Sequence, residues 1–210
     1  MIMRPYNQRS ETRDAILDAA ERLAIRHGYI KVTMVDIARE AGLGKATVYQ
    51  YFHDKESVAL ACRERIDATS RAELEAIRGS DGSPQERLSR MLVQRILMGY
   101  DSVEPYLSRL TDIFTELRGP FLMLRQELLV QESLVFVPLL EDGLGKGVFT
   151  FDDSRRTAQT LITATNSLLP AGIGENELGS RDEIEERARQ LVRILVNGIL
   201  TREARFDSTE

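Results

Sequence analysis

The chain has 210 residues, of which 42% are hydrophobic and 29% charged, the composition of an ordinary globular protein of one or two domains. Its single cysteine, Cys62, excludes an intrachain disulfide and a cysteine-rich metal site. The apolar runs stop well short of the roughly 20 residues of a membrane span. Because no charged and apolar segments precede a cleavage site, we expect a cytoplasmic protein.

The amino-terminal stretch, residues 1–10, has no apolar periodicity and carries Arg4 and Arg9. It is predicted to be a mildly basic arm, either a disordered terminus or a segment that contacts nucleic acid. From residue 11 to residue 27 the apolar residues recur at the i, i+3, i+4 spacing of an amphipathic helix. Gly28 is expected to end this helix at the C′ position.

Two short helices are predicted between residues 32 and 55. Thr33 and Asp36 have the spacing of a capping box, which starts the first of them. Gly42 supplies the backbone freedom for a sharp turn, and the second helix begins near Gly44. Because neither helix buries much apolar surface alone, both must pack against the preceding helix, and this arrangement is a helix-turn-helix.

The second short helix carries small, basic, hydroxyl and amide groups on its predicted outer face: Gly44, Lys45, Thr47, Tyr49 and Gln50. Such a face suits a DNA groove, since small residues permit close approach while lysine, hydroxyl and amide groups reach phosphates and base edges. A merely solvated helix face is the alternative. Residues 1–55 hold nine Lys or Arg against seven Asp or Glu, although the whole chain has a net charge of −5. The basic excess therefore lies with the motif, where phosphate neutralisation needs it.

The motif resembles the DNA-binding domain of the tetracycline-repressor (TetR) family of transcriptional regulators over about residues 11–60. The similarity rests on Thr33, Ile37, Ala38, Ala41, Gly42 and the run Thr-Val-Tyr-x-Tyr-Phe-x-x-Lys that begins at Thr47. The resemblance implies phosphate contacts by Thr33 and Lys55 and backbone contacts by Tyr49 and Tyr51. The full predicted DNA-binding set is Thr33, Gly44, Lys45, Ala46, Thr47, Tyr49, Gln50, Tyr51 and Lys55.

The rest of the chain is predicted to form further helices. A long helix begins at the N-cap Asp54 and reaches about Arg78, and capping signatures start helices after Ser83 and Ser180. Other helices are expected at 105–117, 120–141 and from about 153 to 169, with a break at Gly119-Pro120 and a loop over 170–179. The helix over 120–141 is apolar on nearly every side, which predicts a central position in a bundle.

Because β-type alternation is missing from the sequence, we predict an all-α fold of about nine helices. The expected division is a helix-turn-helix DNA-binding domain at 1–53, including the arm at 1–10, and a helical effector-binding and dimerisation domain at 54–210.

The last long helix carries two apolar stripes, so it needs a second packing partner. The resemblance implies a homodimer through the last two long helices, which would bury the spare stripe. The predicted dimer interface is Leu161, Ala164, Thr165, Leu168, Leu191, Leu195, Gly198 and Ile199. Two-fold symmetry then predicts a palindromic DNA operator.

The resemblance also implies a small-molecule effector in the carboxy-terminal bundle, whose binding moves the fourth helix and releases DNA. Candidate ligand contacts are Met91, Met98, Tyr100, Tyr106, Phe114, Phe121, Met123, Gln126, Thr163 and Asn166, each of which is alternatively a core or surface residue. Since this lining is mainly apolar, we expect a hydrophobic or amphipathic organic ligand and no cofactor.

Other function classes find little support in the residues. His27 and His53 are the only histidines, and no zinc-type spacing occurs, so we expect neither an enzyme nor a metal site. The glycines of residues 143–147 lack the ending of a phosphate-binding loop and follow a helix, which indicates a turn. The predicted function is a repressor released from its operator by a ligand. The alternative is a ligand-independent DNA-binding or architectural protein.

Overall fold

The computed structural model describes residues 5–169 and 179–207, and most of the predicted loop at 170–179 lies outside them. For residues 5–8, 107–123, 125–126 and 205–207 the backbone alone is described. The predicted ligand contacts Phe114, Phe121, Met123 and Gln126 fall in that group, so their side chains lie outside the description.

The described residues form an all-α fold, as predicted. The helices are α1 Pro5–His27, α2 Met34–Glu40, α3 Lys45–Tyr51, α4 Lys55–Arg78, α5 Pro84–Val103, α6 Leu110–Gly145, α7 Ser154–Thr165, α8 Arg181–Ile199 and α9 Arg202–Asp207. Short 3₁₀ segments lie at Tyr29–Lys31, Glu104–Arg109 and Asn166–Leu168. Within the described ranges, the β-type pairing recorded is an isolated antiparallel bridge between Phe149 and Leu200. No helix in these ranges is long and apolar enough to cross a membrane.

The chain divides into two compact units. The head unit comprises Met1–Asp67 and Pro105–Leu124, and the bundle unit comprises Ala68–Glu104 and Arg125–Glu210. Helices α4 and α6 therefore each contribute residues to both units. This grouping differs from the expected boundary at residue 53, because the start of α4 and a segment far along the chain pack with the helix-turn-helix.

The core of the head unit is built from one stripe on each of its first helices. Its buried members are Ile16, Leu17, Ala19, Leu23, Val32, Met34, Ile37, Ala38, Val48, Phe52, Val58 and Ala61. Because α2 and α3 have only 7 residues each, their stability depends on this shared core rather than on helix propensity. The core thus fixes the direction in which the outer face of α3 points.

The first helix begins earlier than predicted, since residues 5–10 are helical and not an irregular arm. Proline at the first helical position lacks only an N–H that would have no helical partner, and its φ angle already suits a helix. Each residue added to an existing helix gains a hydrogen bond whether or not it is apolar, so periodicity does not mark this end. The other end is as predicted: α1 stops at His27 and Gly28 has φ +80°.

The predicted capping signatures are confirmed. Both hydrogen bonds of a capping box are present at Thr33 with Asp36, at Ser83 with Glu86 and at Ser180 with Glu183. Single side-chain caps are formed by Asp54, which accepts from the Ser57 N–H at 2.7 Å, and by Asp153, which accepts from the Arg156 N–H at 2.7 Å. Five helices therefore start where their local sequence directs.

The predicted break at Gly119-Pro120 is wrong, because α6 runs without interruption from Leu110 to Gly145. An interior proline removes one hydrogen bond and costs about 3 kcal/mol, but the other hydrogen bonds of a 36-residue helix hold the backbone on both sides. The helix over 120–141 was predicted to be central in a bundle; in the described structure Phe136 and Leu140 are buried, but Val130 and Leu134 are exposed.

The core of the bundle unit lies where α5, α7 and α8 pack together. On α8 the buried stripe is Ile184, Ala188, Val192 and Val196, continuing to Leu200 beyond its end. The expected pair of stripes is therefore present, and the second one, of Leu191, Leu195 and Ile199, is only half-buried. The segment after α6 is held against the end of α8 by two backbone hydrogen bonds, from Thr150 N–H to Ile199 O at 2.8 Å and from Thr201 N–H to Val148 O at 3.0 Å.

Candidate nucleic-acid interface

The turn between α2 and α3 is tight and depends on one glycine. Gly42 adopts φ +68°, a conformation that L side chains rarely take. Its N–H donates to Arg39 O at 3.2 Å, and the next N–H, of Leu43, donates to Ala38 O at 2.9 Å. These bonds satisfy the carbonyls at the end of α2. The turn therefore fixes the angle at which α3 leaves α2.

Helix α3 has clearly different inner and outer faces. Val48 is fully buried and Phe52, at its C-cap, is 6% exposed, so both anchor the helix in the core. The exposed residues are Lys45, Ala46, Tyr49 and Gln50, with Thr47 half-buried beside them. The Lys45 ammonium stands 5.7 Å from the centre of the Tyr49 ring. The structure thus brings most of the predicted base-reading residues onto one solvent-facing surface.

Gly44, the N-cap of α3, is not required by the fold. Its φ of −68° and ψ of 143° suit any residue, unlike those of Gly42. An added Cβ would meet only Thr47 Oγ1 at 3.7 Å, which is ordinary van der Waals contact. The missing side chain therefore leaves open space next to the exposed face of α3, as a closely approaching ligand would need.

Thr33, at the start of α2, is exposed but its hydroxyl is engaged. The hydroxyl donates to Asp36 Oδ2 at 2.6 Å, and the Thr33 N–H donates to the same oxygen at 3.1 Å. These two hydrogen bonds, the hydroxyl one first, hold the pKa of the Asp36 carboxyl below its usual range. The α2 cap is therefore an ionised, preorganised turn at neutral pH.

The remaining two predicted contacts, Tyr51 and Lys55, are less accessible than expected. Tyr51 is half-buried and packs against the head core. The Lys55 ammonium donates to Tyr29 O at 3.1 Å and to Ile30 O at 3.3 Å. It also lies 4.2 Å from the centre of the Tyr29 ring. The structure thus places the Lys55 charge on the turn before α2.

Part of the basic charge of the head is paired internally. Arg22 and Arg26 of α1 both contact Glu40 of α2, at 3.0 Å and 2.5 Å, and their hydrogen bonds hold the pKa of Glu40 below its usual range. Arg65 of α4 lies 2.7 Å from Asp18 and 2.9 Å from Glu21 of α1. These ion pairs fasten α1 to its neighbours and leave the charge of Lys45 on the outer face.

Two side chains of the head unit, Cys62 and Tyr106, have strongly raised pKa values. Burial, followed by the charge of Glu21, raises the pKa of the Cys62 thiol to about 12. The same two causes, in the same order, raise the pKa of Tyr106 to about 12. Tyr106 was predicted as an effector contact, but it belongs to the head unit, near Glu21 and Cys62. The structure therefore does not group it with the candidates of the bundle unit.

The other described effector candidates divide by burial. Met91 and Tyr100 of α5 are buried, Met98 and Asn166 are half-buried, and Thr163 is exposed. Tyr100 donates through its hydroxyl to Gly179 O at 3.2 Å. The candidates of the bundle unit therefore range from core to surface, and the described structure does not assemble them into one site.

A polar group in the bundle unit was missed by the sequence analysis. Arg95 of α5 is 4% exposed and donates to Thr165 Oγ1 at 2.9 Å and to Asn166 Oδ1 at 2.7 Å. Its Nε stands 3.0 Å from Glu132 Oε1 without the alignment of a hydrogen bond. A signal existed in the sequence, because Arg95 lies on the apolar face of α5 that also carries Leu88 and Leu92.

The predicted dimer residues also divide by burial. Leu161 and Thr165 are buried within their own chain, at 3% and 0% exposure, so they are not available to a partner. The half-buried or exposed members are Ala164, Leu168, Leu191, Leu195, Gly198 and Ile199. The neighbouring Ile194 is 65% exposed. An incompletely covered apolar strip therefore remains on α8.

The helical fold and the outward face of α3 define the chain as a helix-turn-helix protein of the all-α class. The family model described as "Bacterial regulatory proteins, tetR family" matches residues 16–62, which include α2, α3 and the start of α4. Residues 16–62 are therefore similar to the DNA-binding domain of this TetR family. The motif residues on which the sequence resemblance rested thus lie inside the matched region.

Curated relatives agree with this assignment. The HTH-type transcriptional regulator BetI of Agrobacterium fabrum is 36% identical over 80 residues, which are 38% of this chain and 39% of BetI. The similarity therefore spans about two fifths of the length of that relative. The expectation that the chain is not an enzyme agrees with such relatives, which are named as transcriptional regulators.

Solved structures extend the similarity to nearly the whole fold. A TetR/AcrR-family transcriptional regulator from Thermobifida fusca superposes with a TM-score of 0.66 and 25% identity, covering 90% of this chain and 98% of that one. FadR from Bacillus subtilis, solved with stearoyl-CoA, superposes with a TM-score of 0.67 over 89% of this chain and 98% of FadR. At 21% identity, the FadR similarity concerns the fold alone.

Proposed function

We propose that this protein is a homodimeric transcriptional regulator that inserts α3 into the major groove of a palindromic operator and leaves the DNA when a small, largely apolar ligand binds. The observation that carries the DNA-binding part is the outer face of α3. It combines an exposed lysine, a hydroxyl and an amide with Gly44, whose missing side chain the fold does not need. A face that only met water would gain nothing from that space.

The residues of α3 divide by role in this proposal. Lys45, Thr47 and Gln50 reach base edges, with Ala46 and Gly44 permitting close approach. Tyr49, 42% exposed, contacts the sugar-phosphate backbone, as does Tyr51 through the part of its ring that the core leaves accessible. Thr33 and Lys55 lie at the two ends of the motif, and the family resemblance assigns a phosphate contact to each of them. Base contacts specify the sequence, whereas phosphate contacts set the register.

Dimerisation uses the incompletely covered strip of α8. Leu191, Leu195 and Ile199 are apolar and half-buried, and Gly198 is exposed with no atom within 4 Å of an added Cβ. A two-fold axis beside this strip, with Ala164 and Leu168 of the preceding segment, would bury it in an isologous interface. The dimer then presents two α3 helices to half-sites about 34 Å apart or a multiple of that distance.

The effector part of the proposal rests on the character of the bundle unit. Its described candidates include the buried Met91 and Tyr100 and the half-buried Met98, and the flexible methionine side chains adapt to irregular ligands. FadR, which shares this fold, was solved with stearoyl-CoA, a ligand with a long apolar chain. Since α4 has residues in both compact units, we expect it to be the element that responds to the ligand. The protein would act in the cytoplasm, where the operator is.

Selection of bound duplexes from a random DNA library, at a stated salt concentration, tests the proposal. Enrichment of one palindrome is expected, and its half-site spacing reports the separation of the two α3 helices. The second candidate is a ligand-independent architectural protein, which the basic excess of residues 1–55 alone would also permit. Recovery of DNA without a motif would favour that candidate and refute sequence-specific regulation.

A further inference from the structure

Arg71 of α4 starts from the inner face of its helix, within the bundle unit. The side chain is half-buried, and its Nη1 atom is shielded from solvent with no hydrogen-bond acceptor among the described residues. Leu74 and Arg78, three and seven positions further on, share this helix face. Leu74 is completely buried, and Arg78 donates to Val135 O of α6 at 3.2 Å. The Arg71 charge is therefore directed toward the interior of the bundle unit.

A surface ion pair was available to Arg71 on its own helix. Asp67 and Glu75 lie four positions before and after it, the spacing at which helical side chains meet. Asp67 pairs instead with Arg63 at 2.7 Å, and in the described structure Arg71 is paired with neither acid. Arg87 also has a buried nitrogen without an acceptor, but its other nitrogens are bonded. Because a buried donor without an acceptor destabilises a fold, an acceptor for Arg71 is expected from outside the chain.

The pairing of α4 with α5 shows what lies level with Arg71. The two helices run antiparallel, since Arg87 of α5 donates to Arg78 O of α4 at 2.9 Å. One and a half turns further on, Gln94 of α5 donates to Glu73 Oε2 of α4 at 3.3 Å. Extending this pairing along α4 brings Arg71 level with residues 94–96 of α5. Arg71 and the buried polar group of α5 therefore belong to one layer of the bundle unit.

This layer is the polar part of an otherwise apolar interior. The described residues that are both buried and polar are Arg95, Ser133 and Thr165, all in the bundle unit. The Arg95 charge is balanced by Glu132, whose Oε1 lies 3.0 Å from the Arg95 Nε. Arg71 has no such carboxylate among the described residues, so these side chains together carry one positive charge. One negative charge on a ligand would neutralise the layer.

We propose that the effector of this protein is an organic anion, an apolar molecule with one acidic group, and that the acidic group accepts hydrogen bonds from Arg71. The inference rests on the ligand response in the proposed function and adds the charge of the ligand to it. A guanidinium donates two parallel N–H groups to an acidic group, and the apolar surroundings strengthen the pair. Since Arg71 belongs to α4, the anion is held by a helix that has residues in both compact units.

The test uses two fluorescent probes that share an apolar body and differ in charge. Anilinonaphthalene sulfonate (ANS) is an anion, and phenylnaphthylamine is the same molecule without the sulfonate. Each probe is titrated into the full-length wild type, into Arg71→Met and into the control Arg155→Met, which removes an exposed charge at the start of α7. Methionine keeps much of the apolar stem of arginine.

The two probes should respond differently to the loss of Arg71. We expect Arg71→Met to weaken ANS binding about tenfold to a hundredfold, since hydrogen bonds from a charged group are lost. Phenylnaphthylamine should bind this variant as it binds the wild type. Arg155→Met should bind both probes normally. Arg71→Lys retains the charge without the two parallel donors, so it should recover only part of the ANS affinity.

Melting curves of the ligand-free variants separate ligand binding from a structural role. Arg71→Met should melt at the wild-type temperature or above it, because it removes a buried donor that has no acceptor. Arg95→Met, which leaves Glu132 without its cation, should melt at a lower temperature. ANS should raise the Tm of the wild type and raise that of Arg71→Met by less, because only the native state with Arg71 binds it tightly.

Four results would overturn the inference. They are equal ANS affinity of the wild type and folded Arg71→Met, equal losses for the two probes, no ANS binding by the wild type, and a clearly lower Tm of ligand-free Arg71→Met. The second would show that Arg71 contributes packing alone, and the last that it has a structural partner such as a bound water. The operator selection is a separate measurement. Recovery of DNA without a motif would refute the proposed regulator, whereas ANS binding through Arg71 would still establish the anion site.

Discussion

Gly44→Ala tests whether DNA approaches the first turn of α3 closely. The fold should tolerate the change, because φ is −68° and the new methyl group would have Thr47 Oγ1 at 3.7 Å as its neighbour. Alanine is less favourable than glycine at an N-cap by about 0.5–1 kcal/mol. It also restricts the unfolded chain, which stabilises the protein by about 0.4–1 kcal/mol. Since the two effects nearly cancel, we expect the free energy of unfolding to change by less than about 0.5 kcal/mol.

Gly42→Ala is the matched control, two residues away in the same turn. An added Cβ there has no atom within 4 Å, so any effect comes from the φ of +68° alone. The left-handed conformation costs an L residue about 1–2 kcal/mol, which exceeds the gain from the unfolded chain of about 0.4–1 kcal/mol. A net loss of about 1 kcal/mol should lower the Tm by about 2–4 °C in a protein of this size.

The two variants should separate clearly when DNA binding is measured beside stability. At Gly44 the methyl group would lie between α3 and the DNA, and we expect operator affinity to fall about tenfold, equivalent to about 1.4 kcal/mol. Fluorescence anisotropy at one fixed salt concentration gives the affinity, and thermal melts give the stability. If Gly44→Ala bound like the wild type, the open space beside α3 would have no function. If it melted like Gly42→Ala, the steric reasoning itself would be wrong.

Three shorter predictions concern other parts of the chain. Because hydrogen bonds from Thr33 lower the folded pKa of Asp36 below 3.8, its contribution to stability is complete above pH 3.8 and is lost as the pH falls further; the Tm difference from Asp36→Asn should shrink only there. Leu195→Asp should convert the dimer to a monomer in analytical ultracentrifugation, whereas Asn197→Asp, which adds the same charge at an exposed position, should not. Cys62, with a pKa of about 12, should resist iodoacetamide at pH 8 in the native protein and react after unfolding, as mass spectrometry would show; rapid native labelling would contradict its burial.

Local sequence predicted the starts of the five capped helices well, because a cap is made by residues three positions apart. Thr33, Ser83 and Ser180 each form their cap with an acidic residue at that separation, so no distant part of the chain is needed. The outer face of α3 was predictable for a similar reason. Once Val48 and Phe52 were assigned to the core, the 3.6-residue period placed Lys45, Thr47, Tyr49 and Gln50 away from it or at its edge.

Two other features could not be predicted from neighbouring residues alone, namely the continuity of α6 and the partners of Lys55. The Gly119-Pro120 pair has the local signature of a break, yet α6 continues through it, because a long helix can lose one hydrogen bond and remain helical. The contact of Lys55 with Tyr29 joins residues 26 positions apart. Sequence reasoning therefore treated Lys55 as a free cation, and the structure alone gave it acceptors.

Arg95 was predictable in part, since its position on α5 follows from local sequence and its contacts do not. Its place on the apolar face of α5 is visible in the sequence, but its partners Glu132, Thr165 and Asn166 come from other elements. Removing two charges from water costs several kcal/mol for each ion, and a well-packed apolar group would serve stability as well or better. The group therefore adds little net stability to the bundle. Because its contacts have a fixed geometry, it restricts how α5 packs against α6 and the end of α7.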